Sequence, residues 1–581
     1  MNSAIPELLA QGLLQDPGAA PLVIGVTGHR DPTPEAVLLV RRNTRRQLEQ
    51  LLQELPHTPL VMLNGMAAGI DIEIAEEFLA VVAAQRHFTP STTPLPHHQL
   101  LASLPKTPES FEGDFDNAVS LQRLRSLLQK ADAVLHPGNC EELRIPPLPL
   151  GHTPSDADPT PYAQQGVFVV RHCYLLFAYY DGIDTGLMGG TAQVVAIQRE
   201  QIYPLFVNVA EVAASREPAA LICHATPRLK HPTPRHQLGD ICFWPTGPKQ
   251  EEATSGDVTI PDQLLELPRQ LDAINKKVVD VNLELVIRQE GRYTRLSSAL
   301  DHEAIAFKLS HIYWIKVFVM FGFALVVIAE LLEGTTWFGV ALLVLMASLA
   351  WLPRVQQTSK ERFIEKRSLI ECLAVQYLWS AVGVEFDTAD LFHVRNHTQL
   401  RIARMMLRAV KTQLLALYVV EQRPMAQALP QARRWIESQV EFFSSKIYSF
   451  RRYNANCHRA AWVMGGSAAA IGFAQLLPGA PENLYIAAIV LLAASASAYA
   501  YGELIGYEET ANRYERSLEQ FNRGVQALEL LRSGEAGSLG ADPADPWFRH
   551  RIVMEAMGRE KIDELNDWIA DQIQRIYRPG G

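Results

Sequence analysis

Two long stretches almost without charge decide what this chain can become. Between Lys316 and Arg354 lie 37 residues whose only charges are Glu330 and Glu333, and between Arg459 and Glu503 lie 43 residues whose only charge is Glu482. Each stretch is long enough for two helical crossings of a hydrocarbon layer roughly 30 Å thick, with its acidic residues near the middle. Each therefore reads as a hairpin of two spans. The expected spans are residues 312–332 and 335–353, then 460–477 and 484–502, with turns at Glu333-Gly334 and Pro478-Gly479-Ala480-Pro481. The plain alternative is a pair of buried hairpins inside a soluble helical bundle.

Flanking charge sets the expected orientation. Lys308, Lys316, Arg354, Lys360, Arg362, Lys366 and Arg367 bracket the first hairpin, Arg451, Arg452, Arg459, Arg513 and Arg516 bracket the second, and neither turn carries Lys or Arg. Positive charge stays on the cytoplasmic side, so both turns should face outward. The expectation is a multi-pass protein of the cell (inner) membrane with both termini cytoplasmic and the bilayer as a partner. Tyr313, Trp314, Trp337, Trp351, Trp462, Tyr485, Tyr499 and Tyr501 fall near span ends, where amphipathic rings favour the interface.

The rest of the chain reads differently. Over 581 residues, 48% hydrophobic and 20% charged content excludes a disordered chain, and a net charge of −10 argues against direct nucleic-acid binding. Six cysteines without a CxxC pair argue against a disulfide scaffold and a cysteine zinc site, and the first residues lack the basic and apolar regions of a secretory signal. Apolar runs at 21–27, 59–64, 166–180 and 202–209 alternate with helical patterns, which predicts an α/β unit with a parallel sheet. The Pro-, His- and Thr-rich stretch 89–161 reads as loops around one helix at 117–130. The expected order is an N-terminal extension (1–19), the α/β unit (20–275), a helix–hairpin–helix unit (276–385), a cytoplasmic helical connector (386–450), a second such unit (451–535) and a C-terminal helical tail (536–581). The two hairpin units look like a repeat. Four spans are too few to enclose a wide pore, so transport through them requires a homo-oligomer.

Three glycine-bearing turns lie where an apolar run meets a helix. The first is Thr27-Gly28-His29-Arg30, whose small Gly28 lets a phosphate approach and whose basic side chains can clamp it. The second runs from Asn64 to Asp71 and includes Gly65 and Gly69; Asp71 either accepts from a ribose or caps the following helix. The third holds Asp181 and Gly182, then Gly189, Gly190 and Thr191, opening a helix whose amides would face an anion. The histidines, including His97, His98, His136, His152, His172, His224, His231 and His236, show no ligand spacing, so no metal is expected.

This constellation, VTGHR, then G-x-A-x-G-x-D, then YDG before GGT, is similar to the SLOG superfamily, Rossmann-like domains that include the LOG nucleotide phosphoribohydrolases, DprA and the sensor region of melastatin-type TRP channels. ATPR at 225–228 and LDAIN at 271–275 look like the ending of the bacterial subgroup. The hairpin units resemble SLATT domains, two-span effectors of bacterial conflict systems. The resemblance implies a domain sensing a nucleotide-derived ligand of the cyclic nucleotide or NAD/ADP-ribose type, with no other cofactor, coupled to a pore used in antiviral defence. It departs at one place: the LOG glutamate after the GGT turn is missing, since Ala192-Gln193-Val194-Val195 follow Thr191. No residue is therefore assigned as catalytic, and Asp71, Asp181 and Asp184 are the remaining acids. The competing expectation is a membrane-anchored nucleotide or NAD N-glycosidic hydrolase.

In the second hairpin the small pairs Gly466/Ala470 and Ala468/Gly472 permit close helix approach. They serve either a subunit interface or pore, or simple packing within the chain. The acids Glu330, Glu333 and Glu482 read as solvated, the alternative being outer rings that favour cations.

Overall fold

A computed structural model describes residues 8–9, 11, 14–88, 96–144, 158–200, 220–230, 237–244, 253–255, 258–281, 294–332, 334–335, 337–391, 401–421, 425–478, 481, 484–533 and 547–577. The run at 202–209 and the acids Glu333 and Glu482 lie outside the described residues.

The first half folds as strands and helices in alternation. In order they are β1 (Leu22–Gly28), α1 (Pro34–Glu54), β2 (Leu60–Asn64), α2 (Ile70–Phe88), β3 (Gln99–Ser103), α3 (Ala118–Lys130), β4 (Ala133–Leu135), α4 (Thr160–His172), β5 (Leu175–Tyr180), α5 (Thr191–Glu200), β6 (Ala220–Ala225), β7 (Ile241–Trp244), β8 (Ala253–Ser255) and α6 (Asp262–Val279). The strands form one eight-stranded sheet in the order β4-β3-β2-β1-β5-β6-β7-β8. The pairs from β4 through β6 are parallel, and β7 and β8 add an antiparallel edge. A parallel-dominated sheet needs both faces covered, which is why its strands are apolar throughout. Chain order reverses at β1: β2 flanks it on one side and β5 on the other, in register at Ile24 with Met62 and Leu175. In an open sheet, such a reversal leaves a crevice at the carboxyl ends of its strands.

Local chemistry sets the boundaries. Thr33 caps α1 by accepting the Ala36 N–H (3.3 Å), with Pro34 preset at the first turn, and Asn117 caps α3 through the Val119 N–H (2.8 Å). A Cβ on Gly25 would come within 2.8 Å of Cys173 Sγ and 2.9 Å of Val169 Cγ1, so its absence lets α4 lie close on β1. The run 166–180, expected as one buried strand, is two elements. Residues up to His172 finish α4, and β5 starts only at Leu175. Both are buried and apolar, and a covered helix and a covered strand read alike in sequence. The region 89–161, expected as loops around one helix, also supplies β3 and β4.

The segment LDAIN lies on α6 and has a structural duty at the amino ends of the strands. Asn275 exchanges two hydrogen bonds with the Ala20 backbone (3.0 and 2.8 Å), and Asp272 accepts from the His57 N–H and the Thr58 hydroxyl (both 2.8 Å).

The second half is helical: α7 (Arg295–Leu331), α8 (Trp337–Val382), α9 (Arg401–Glu421), α10 (Met425–Ala474), α11 (Leu484–Ile505), α12 (Tyr507–Ser533) and α13 (Phe548–Tyr577). The chain divides into two compact units, one of Ile5–Ala299 with Cys372–Leu429, the other containing Leu300–Glu371 with Pro430–Gly581. The sheet unit thus takes in the end of α8 and all of α9. Helix α9 packs on β4, α4 and α6. His172 Nδ1 lies 2.9 Å from the Thr412 hydroxyl, and Arg171 and Arg408 both reach Asp390.

Among the described residues, two helical segments are long and apolar enough to cross a membrane, Arg295–Ile328 and Leu484–Arg532. Large apolar side chains stand exposed along the hairpin helices: Met320 and Ile328 on α7, Trp337, Leu343 and Met346 on α8, Trp462 and Phe473 on α10, and Leu492 on α11. At the other end of this unit α12 and α13 pack together, with Phe521 and Met554 fully buried.

Candidate functional site at the sheet switch point

All three glycine turns lie at the carboxyl ends of β1, β2 and β5, the three strands around the reversal of chain order. Their residues meet at close range. Gly69, at φ +93°, places a built Cβ 2.6 Å from the carbonyl oxygens of both His29 and Arg30, so glycine is required there on two counts. The Ile70 N–H donates to the His29 carbonyl (3.1 Å), locking the second turn onto the first. Thr27 is the penultimate residue of β1, paired with Ala178.

The space beside Gly28 is filled. A Cβ there would stand 2.6 Å from Ile70 Cβ, so the gap admits the Ile70 side chain and not a phosphate, contrary to the sequence expectation. Asp71 Oδ1 borders the same position at 3.4 Å, and Asp71 Oδ2 lies 3.1 Å from where a Gly65 Cβ would be.

His29 also departs from its expected role as a cation. It is buried, and burial lowers its pKa below the usual histidine value, outweighing the attraction of Asp181. Its Nε2 accepts the Asp181 N–H (3.1 Å), which requires an unprotonated nitrogen. His29 is therefore a neutral latch between the ends of β1 and β5. Arg30 is exposed, its guanidinium 5.4 Å from the Tyr162 ring centroid, and Lys106 stands 5.1 Å from that same ring. Tyr162 also abuts Gly189, whose built Cβ would be 2.6 Å from Tyr162 Cβ.

The amides of these turns are largely spoken for. The Gly189 N–H donates to Gln193 Oε1 (2.7 Å) and the Gly190 N–H to the Leu187 carbonyl (3.2 Å), just before Thr191 opens α5. Gln193 thus closes the turn on itself. The Met66 N–H donates to Asn64 Oδ1 (2.7 Å) and the Ala67 N–H to Asp71 Oδ2 (3.4 Å). Gly182, at φ +81°, carries the chain on from Asp181, whose Oδ1 accepts the Ile183 N–H (3.0 Å).

The acids are buried: Asp71 and Asp181 are 6% and 1% exposed, the Gly28 and Ala67 amides face the Asp71 carboxyl, and Asp181 Oδ2 has no hydrogen-bond partner. Burial pushes the Asp71 carboxyl up to about 7, against the Ala67 amide, the Arg30 charge and the Gly28 amide, which favour its ionised form. Among the described residues no group of three or more His, Cys, Asp or Glu side chains is placed to hold a metal ion.

Several residues of this mouth escaped the sequence reading. Arg228, from the ATPR segment after β6, pairs with Asp31 (2.7 Å), and the Thr226 N–H donates to the Tyr180 carbonyl (3.0 Å). Tyr162 and Gln165 come from α4, whose first turn lay inside a stretch read as loop, and a Gly65 Cβ would be 2.9 Å from Gln165 Nε2. No local pattern marks them; they arrive through the packing of α4 on β1. Compared with known proteins, the chain matches no family model and no curated protein.

Proposed function

We propose that this protein is a membrane-embedded, ligand-gated effector. The sheet unit binds a nucleotide-derived molecule at the switch-point mouth, and the hairpins span the membrane four times and form a pore in an oligomer. The likeness of its motifs to SLOG and SLATT domains supports this reading and extends it to bacterial antiviral defence. So does the placement of the four expected spans: each lies almost wholly within α7, α8, α10 or α11.

The observation that carries the proposal is α8. Its 46 residues are one unbroken helix that starts with exposed Trp337, Leu343 and Met346 and ends with buried Tyr377, Leu378 and Trp379 in the sheet unit. The chain thus runs from the lipid-facing unit into the sheet unit along one helix, which gives a ligand-induced change a direct covalent route between them. A ligand that binds one arrangement more tightly shifts the population towards it.

The test uses the full chain in lipid nanodiscs and dye-loaded liposomes, against nucleotides, cyclic oligonucleotides and NAD derivatives. A ligand at 100 times its Kd stabilises the fold by about 2.7 kcal/mol. The expected result is a thermal shift with one ligand class, recovered intact, and dye release by that class alone. Stabilisation without release at any subunit density overturns the gating reading.

One observation favours the N-glycosidic hydrolase as a second reading. A buried carboxyl titrating near 7 at a ligand mouth suits general acid–base work, and Asp71 has that character. Recovery of cleaved ligand in the same assay, lost in Asp71→Asn, would put this reading first.

A further inference from the structure

Helix α10 packs on its hairpin partners through one face. The Phe450 ring lies 5.9 Å from that of Tyr507, a Cβ on Gly502 would come within 3.2 Å of Cys457 Cβ, and the Ala461 carbonyl accepts the Ser495 hydroxyl (2.7 Å). These contacts mark the seam with α11 and α12. At 3.6 residues per turn, Tyr448, Arg452, Arg459 and Val463 stand roughly 140–180° around the helix from that seam. All four are exposed. Adjacent arginines are treated differently: Arg451 pairs with Glu515 of α12 (2.7 Å), whereas neither Arg452 nor Arg459 meets an acid among the described residues. The two lie seven residues apart, roughly 10 Å along the axis. After Arg459 the exposed side chains turn apolar, at Trp462, Val463 and Phe473.

Helix α7 repeats the order of aromatic, cation and bare apolar side chain. Tyr313, Lys316 and Met320 fall three and four residues apart, so they share a face, and all are exposed. Lys316 likewise meets no acid among the described residues. We propose that Arg452 and Arg459 hold the headgroups of anionic phospholipids, with Lys316 acting in the same way on α7. The inference rests on the reading that the hairpins cross a bilayer. It goes beyond orientation by flanking charge, which asks only for the sign of a segment, because here named side chains contact the lipid phosphate. A guanidinium grips phosphate through paired N–H groups. An acidic protein partner would match the charge but not the bare apolar side chains that continue the same face. A phospholipid matches both, with its headgroup at the arginines and its acyl chains along Val463 and Phe473. A cation near an anionic membrane surface is worth about fivefold in association, an effect that fades within a Debye length.

The experiment titrates the full chain, in an uncharged detergent, with fluorescent phosphatidylglycerol and phosphatidylcholine, and measures its flotation with phosphatidylcholine vesicles alongside. The chain should float, and at low salt it should bind phosphatidylglycerol roughly tenfold to thirtyfold more tightly than phosphatidylcholine, an advantage lost at high salt. In the Arg452→Gln/Arg459→Gln variant the two lipids should bind within about fivefold of each other, while Arg452→Lys/Arg459→Lys keeps most of the preference. Equal binding of the two lipids by the parent chain, or an unchanged preference in the Gln variant, overturns the inference and leaves the membrane reading intact. Displacement of phosphatidylglycerol by glycerol 3-phosphate does the same, because it assigns the arginines to a soluble phosphate. A changed oligomer size in the Gln variant with its lipid preference intact gives the face to a second copy and also overturns the inference. Failure to float overturns the membrane reading as well. The comparison of the two lipids on the parent chain stands even if the Gln variant does not fold.

Discussion

The two units bury charge in opposite ways. At the base of the hairpin unit, Glu371 of α8, Arg513 of α12, and Lys561, Glu564 and Asp571 of α13 form a connected set with Arg367. Lys561 lies 3.3 Å from Glu564 and 3.8 Å from Glu371, and Arg513 lies 3.4 Å from Glu564 and 3.6 Å from Asp571. Every ion there faces a counter-ion. Burial disfavours the charge on Lys561, but Glu371 and Glu564 outweigh it and hold the ammonium above its usual range. At the switch-point mouth, Asp71 is as deeply buried, forms no comparable ion pair, and titrates near 7. A buried ion among counter-ions stays charged, whereas a buried acid with only backbone amides and one distant cation is pushed towards its neutral form. Three substitutions test the contrast: Lys561→Met, Gly69→Ala and Asp71→Asn.

The largest effect is expected in the hairpin unit. Lys561→Met leaves Glu371 and Glu564 buried without their shared cation, and breaking such a set from one side costs about 3–5 kcal/mol. The loss should appear as a lowered Tm of the full chain in detergent. A drop of less than ~1 kcal/mol would mean the set is solvated and the contrast is false.

Gly69→Ala comes next, with about 2–3 kcal/mol lost through a strained φ and a clash with two carbonyls. Urea unfolding followed by near-UV dichroism reads it. This sharpens the comparison, because at the mouth the backbone is what resists change, whereas the acid should not. Asp71→Asn is expected to leave the protein as stable at low pH and more stable near neutrality. The sign follows from linkage: the folded carboxyl titrates near 7 and the unfolded one near 3.8, so the native state holds more protons in between. Stability from this group is therefore lost as pH rises from about 4 to 7, and removing the ionisable group removes that loss. A Tm difference between variant and parent that stays flat from pH 4 to 8 would contradict it.

How much of this was legible in the sequence depends on range. β1 and β2 were visible as LVIGVTG and LVMLN because each is a continuous apolar run ending at glycine or asparagine. β4, only three residues in AVL, carries too little pattern to be seen inside a proline-rich stretch. The glycine turns were found from spacing, and the structure brings them to one mouth. Their meaning was not legible, because Ile70 beside Gly28, Gln193 beside Gly189 and the approach of Arg30 and Lys106 to the Tyr162 ring are tertiary facts. The docking of α9 was hidden for the same reason: His172 and Thr412 are 240 positions apart. Long apolar helices, in contrast, are visible from composition alone, and among the described residues two meet the length and hydropathy a membrane requires.

The smallest effect on stability, and the most informative for the hairpins, concerns glycines that look alike in sequence. A Cβ on Gly465 would meet Ser495 Oγ at 3.1 Å, and that hydroxyl donates to the Ala461 carbonyl (2.7 Å), so Gly465 belongs to packing between α10 and α11. Gly466 and Gly472 face open space, with nothing within 4 Å. The small residues thus divide into one closed position and two open ones, although Gly472 lies seven residues from Gly465 and so on nearly the same side of α10. Leu at both Gly466 and Gly472 should change stability by no more than roughly 0.5 kcal/mol, as substitutions away from packed features do. If the open positions meet another copy, the same double variant should abolish dye release and shift the oligomer on native electrophoresis. Gly465→Leu should instead lower stability while leaving the assembly of its folded fraction intact. Normal release from the Gly466/Gly472 variant would assign the open positions to lipid, and the subunit contact would then have to be sought on the bulkier α7–α8 hairpin.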